Sequence, residues 1–232
     1  MLNSVISIKL KQRLNKLDSQ DYDNITCWQV VESFNKAQVE WTRRQLHGIN
    51  MTKEGDEGST RRKDDLQILL STFDLTISNQ QYYYSAPLPE DYLQWKRVDV
   101  LSRKGCCDKR SMVVYLAEEG NLRQLLIDKA KQPSFEWGET FATLKGGDVN
   151  IYTNGDFLID EADIVYYRQP QKIQILGCTD PYTNTTSVVD VQCEFKDDII
   201  ELIIDEAASI IGGDIESGNQ FSRGTETAER NN

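Results

Sequence analysis

Residues that carry chemistry are scarce in this chain of 232, which has one histidine, His47, and five cysteines. His47 stands beside Gly48 at the end of a helical pattern, where a polar side chain satisfies terminal carbonyls. A lone imidazole needs partners to act as an acid or base. Cys27 gives it none, because the two lie twenty positions apart on one predicted helix, about 30 Å at the helical rise. No nucleophile elbow, Walker loop or Rossmann glycine triplet occurs, and Gly146-Gly147 fits a turn better than a phosphate cradle. The acidic groups Asp197-Asp198 and Asp160-Glu161-Asp163 lack the spaced oxygens and mid-loop glycine of a calcium loop and read as solvated faces. The expectation is no enzyme: no catalytic residue, no cofactor and no metal.

Other absences narrow the setting. No apolar run approaches the roughly 20 residues that span a bilayer, so no membrane partner is expected. Met1 to Gln20 is an amphipathic charged segment rather than a signal peptide. The cysteines (Cys27, Cys106, Cys107, Cys178, Cys193) are odd in number and lack CxxC spacing, which reads as free thiols in a reducing cytoplasm. Without a secretion signal, the Asn-x-Thr triplets at Asn24, Asn50 and Asn184 read as chance matches to a glycosylation acceptor. A formal net charge of −11 and a pI near 4.7 repel phosphate and disfavour non-specific duplex binding. Against that balance, Arg43-Arg44 and Arg61-Arg62-Lys63 read as solvated or ion-paired groups.

What is present is a change of period along the chain. Ile6, Leu10, Leu14 and Leu17 form the stripe of an amphipathic helix. Thr26 with Gln29 makes a capping box that opens a second helix, whose face runs through Trp28, Val31, Phe34, Ala37 and Trp41 to about Leu46. Thr52 to Asp65 has two glycines and no aliphatic side chain, which reads as a loop. After Phe73 the period falls to two, and strands are predicted at Phe73–Ile77, Val98–Val100 and Met112–Leu116. Between them YYYSAPLPEDYLQW carries Pro87 and Pro89, which suggests an extended arm or edge crossing. Leu122, Leu125 and Leu126 return to helical spacing. Gly146-Gly147 and Asn154-Gly155 predict a three-stranded meander over 140–159, followed by strands at Ile164–Tyr167 and Lys172–Ile175. Asp197 opens an apolar helix that stops at Gly212-Gly213. The expected fold is α+β: a helical body from residues 1–72 and 193–213, an inserted antiparallel β-rich region at 73–192, and a polar, disordered tail at 214–232.

With catalysis set aside, interfaces remain as the expected function. Tyr166, Tyr167 and Arg168, followed by Pro170, close a strand with residue types that concentrate binding energy at subunit contacts; Tyr92 and Trp95 share that character. The tyrosines serve either as anchors against a neighbouring subunit or as fillers of the chain's own core.

The helical start, LPEDYLQW (Leu88 to Trp95), VYYRQPQKI (Val165 to Ile173) and CEFKDDIIELIIDEAASIIGGD (Cys193 to Asp214) together resemble head-to-tail connector proteins of tailed bacteriophages, the adaptor rings of crAss-like podoviruses in particular. The resemblance implies a virion protein of the neck, made in the host cytoplasm. It would form a ring of copies of itself, usually twelvefold, bind the portal protein and tail or further ring proteins, and let DNA pass without sequence-specific binding. Its Tyr-Tyr-Arg-x-Pro strand end matches Tyr166, Tyr167, Arg168 and Pro170. The long β insertion departs from short connectors. The competing expectation is an acidic, non-catalytic adaptor or regulatory module that binds a single protein partner.

Overall fold

The computed structural model describes residues 1–14, 25–47, 64–105 and 109–214. It divides the chain into two compact units: residues 1–68 with 170–232, and residues 69–169. Each is described by itself.

The second unit is a mixed sheet of eight strands: β1 (Leu70–Asp74), β2 (Ser78–Asn79), β3 (Tyr83–Pro87), β4 (Tyr92–Arg103), β5 (Arg110–Leu116), β6 (Glu139–Lys145), β7 (Asp148–Tyr152) and β8 (Leu158–Arg168). Their order is β1-β8-β4-β5-β6-β7-β3-β2. Every pair is antiparallel except β5 with β6. A parallel neighbour cannot be reached by a tight turn, so the chain crosses over through a 3-10 turn and the short helix α3 (Leu122–Ile127). One face of the sheet is the core: Val98, Val100, Met112, Ala142, Ile151, Ile159 and Ile164 are all buried on it, at alternate positions where one strand supplies two.

The first unit holds α1 (Asn3–Arg13), α2 (Cys27–His47) and α4 (Asp197–Asp214). Ile199, Ile200, Ile203, Ile204, Ala207 and Ile211 form the buried side of α4, which packs on both α1 and α2. Opposite charges line one contact, where Arg13 of α1 pairs with Asp205 and Glu201 of α4 at 2.5 and 3.3 Å. Helix α2 starts where the cap residues predict, with Thr26 N–H donating to Gln29 Oε1 at 2.9 Å. Its buried stripe is Val30, Phe34, Ala37 and Trp41, joined by Gln38 and Thr42.

These observations correct the expected fold class. The chain is a mixed α/β protein whose dominant element is the eight-stranded sheet, with only four α-helices among the described residues; it is not a helical body carrying an antiparallel insert. Local period reports that a segment is extended but not which segment it pairs with. Thus YYYSAPLPEDYLQW supplies β3 and the start of the central strand β4, with Pro87 at the end of β3. The meander is also corrected. Asn154-Gly155 closes no hairpin, because β7 pairs with β3 and β6 while β8 pairs with β1 and β4. The amides of Thr153 and Asn154 instead donate to Tyr82 O. Lys172–Ile175 forms no strand beyond the bridge from Gln174 to Val191, and α4 runs through Gly212-Gly213. Residues 170–192, expected with the strands, belong with the helices. Most of the 52–65 loop, the 214–232 tail beyond Asp214, and the Cys106-Cys107 pair lie outside the described residues.

Candidate interaction surfaces

The strand end singled out in the sequence is assembled by β4 and β8. Tyr92 stands opposite Arg168 and Trp95 opposite Tyr166, with register shifts between Tyr92 and Gln94 and between Trp95 and Arg97. Tyr166 is 2% exposed on the core face; its ring stacks on Tyr92 at 5.8 Å and its hydroxyl donates to Asp91 Oδ1 at 2.7 Å. Burial, followed by the hydrogen bond to Asp91, raises the Tyr166 phenol above its ordinary range. Tyr167 is 6% exposed with Lys96 Nζ 5.9 Å from its ring centroid. The sheet therefore brings Tyr92, Trp95, Tyr166, Tyr167 and Arg168 to one strand end, with Tyr166 in its core and Tyr167 buried on the opposite face. Pro170 is buried and begins the return into the first unit. Replacing Tyr166→Phe removes the hydroxyl from Asp91 and is expected to cost about 1 kcal/mol in urea unfolding. An unchanged midpoint would show that this bond adds nothing beyond water.

A second surface, without a periodic signal in the sequence, lies on the helical unit. Residues 174–191 form an arm closed by bridges from Gln174 to Val191 and from Thr179 to Thr186. Its base is tied by Asn3, whose Nδ2 donates to Gln174 O, Val191 O and Asp190 Oδ1 at 2.8–2.9 Å. Just before the arm, the Asn35 side chain of α2 acts as a strand would: Ile173 N–H donates to Asn35 Oδ1 at 2.8 Å and Asn35 Nδ2 donates to Ile173 O at 3.3 Å. Further along, Cys178 is bonded to Cys27, the first residue of α2, and Tyr182 meets Trp28 edge to face at 5.8 Å. That disulfide corrects the expectation of five free thiols; the partners are 151 residues apart, beyond any spacing rule. Cys193 remains a buried free thiol, and burial pushes its pKa up to about 11.

So fastened, the arm still exposes Leu176, Tyr182, Val188 and Val189, with Val188 84% accessible. Between arm and helix runs a groove of about 740 Å³, lined on the α2 side by Trp28, Val31, Asn35 and Val39. Trp28 and Val31, predicted to lie on the buried stripe, line this groove instead.

Asp163 stands in register between Asp74 and Asp99, and burial first, then those neighbours, raises its carboxyl above the usual range. Among the described residues no group of three or more His, Cys, Asp or Glu side chains is placed to hold a metal ion, and no helix is long and apolar enough to cross a membrane. No family model matches the chain, and no curated protein matches its sequence.

Proposed function

We propose that the protein is a structural subunit of a tailed-bacteriophage neck, forming a closed, twelvefold ring beneath the portal that joins capsid to tail and continues the DNA channel. The observation that carries the reading is the arm at 174–191. A chain that fastens a segment with a disulfide and side-chain clamps, yet leaves Leu176, Val188 and Val189 in water, holds an apolar patch ready for another protein surface. Ring closure needs two different faces per copy, and an arm beside a groove supplies two. The phage-connector resemblance of the strand end and of α4 supplies the setting. Disulfides persist in oxidising surroundings, virion surfaces among them. A net charge of −11 suits a channel wall along which DNA slides without sticking.

Mixing the purified protein with its portal and imaging by negative-stain electron microscopy tests this reading. Closed rings on the portal are expected, and Leu176→Asp with Val188→Asp should abolish them while leaving the melting temperature unchanged, since both side chains are exposed. A protein that stays monomeric and ignores the portal would overturn the ring and favour the single-partner adaptor.

A further inference from the structure

A second cleft, of about 640 Å³, opens on the sheet unit between the crossover loop at 129–134 and the outer face of β5 and β6. On its wall stands Trp137, 80% exposed, the largest of all side chains left in water. An indole in that state is usually a feature of a loose loop. This one is not. The turn from Ser134 to Glu139 is closed on itself, Ser134 N–H donating to Glu139 O at 3.0 Å and Glu139 N–H to Ser134 O at 3.3 Å. Arg110 Nη1 donates to both Phe135 O and Glu136 O, at 3.1 and 2.8 Å. Asp156 Oδ2 accepts the amide of Phe135 at 3.0 Å while its other oxygen pairs with Lys104.

Glycine at 138 makes this lock possible. Its φ is +70°, and a Cβ there would sit 3.0 Å from the Arg110 guanidinium. Trp137 is thus an exposed aromatic side chain on a fixed turn, so a ligand has only the side-chain rotamer left to order. Tyr115, also exposed, adds a second ring to the lining.

The rest of the lining selects the ligand. Lys104, Lys129 and Lys131 face Glu136, Glu139 and Asp156, so the cleft carries no net charge. A polyanion strand needs a basic groove alongside its stacking rings, and this cleft lacks one. A hydrocarbon would strand the ammonium, carboxylate and amide groups without partners. What fits is a neutral ligand with one flat apolar face and many hydroxyls, each able to donate and accept. We infer that the cleft beneath Trp137 is a binding site for a neutral oligosaccharide, one sugar ring lying on the indole and its hydroxyls shared among the amide of Asn154 and the surrounding lysine and carboxylate groups.

The test uses the full chain with maltoheptaose, cellohexaose and chitohexaose as probes and an oligothymidylate as the competing chemistry, with affinity read by isothermal titration calorimetry and the site located in the parent through the Trp137 indole N–H resonance. At least one sugar is expected to bind saturably and to shift that resonance in the parent, with the calorimetric affinity weakened about 30-fold by Trp137→Ala, the loss typical of an aromatic anchor. The melting temperature should not move, because so exposed a ring packs against little, and Trp137→Phe should keep most of the binding. The inference is overturned if none of the sugars shifts the resonance at millimolar concentration, if Trp137→Ala binds as the parent does, or if only the oligothymidylate binds. These outcomes are independent of ring assembly.

Discussion

Reducing the Cys27–Cys178 bond, or replacing both residues by serine, is expected to destabilise the helical unit selectively. The bond joins positions 151 apart, and a loop of that length closed in a fully unfolded chain corresponds to about 5 kcal/mol in the chain-entropy account. Most of the loop is the sheet unit, residues 69–169. While that unit stays folded, only the flanking stretches, about a third of the loop, gain freedom and the loss is somewhat smaller, about 4 kcal/mol. In a chain of this size that lowers the melting temperature of the helical unit by on the order of 10 °C. Hydrogen exchange separates the two units directly: protection in α2 and α4 should fall on reduction, and protection in β4 and β8 should hold. Equal loss in both units would mean that they unfold as one, and no loss would leave the bond without a stabilising role.

The parts of this molecule that were legible in its sequence are those fixed by neighbours in the chain. Thr26 and Gln29 set the start of α2 three residues apart, Ile6 and Leu10 give α1 its stripe, and Asp197-Asp198 mark the start of α4. Partner choice was not legible. Trp95 and Tyr166 meet from positions more than seventy residues apart, and nothing in the period of either strand names the other. The same holds for Asn35, an ordinary polar position on a helix until Ile173 is laid against it. Turn residues mislead for a related reason. Asn154 and Gly155 both take the positive φ expected of them, yet that conformation serves a turn between strands that do not pair.

The candidate surfaces divide in the same way. Aromatic and arginine composition at 166–168 pointed to a crowded strand end, and the structure supplies the crowd from β4. The arm at 174–191 has exposed apolar residues without any spacing, because nothing regular lies behind them. Trp137 follows the same rule: one tryptophan in a loop carries no signal until the Arg110 and Asp156 bonds show that the loop is fixed.

Glu206 should make the helical unit lose stability as pH rises through the neutral range. Its carboxylate is 6% exposed on α4, facing Arg44 and Glu40 of α2. Burial raises its pKa to about 7, with the charge of Glu40 and its hydrogen bond adding to the rise and the Arg44 guanidinium opposing it. A group whose folded pKa lies above its unfolded value binds its proton more tightly when folded. Its contribution is therefore complete below the unfolded value near 4.5, falls as pH climbs to about 7, and is gone above that. The difference amounts to about 3 kcal/mol across the window. Glu206→Gln keeps an oxygen toward Arg44 and removes the titration. It should match the parent near pH 4, exceed it at pH 8, and flatten the slope between. Glu40→Gln should narrow the window from its upper end by withdrawing one of the two opposing carboxylates. Parallel stability curves for parent and Glu206→Gln between pH 4 and 8 would mean that the carboxylate is ionised throughout, held by Arg44 more firmly than burial penalises it.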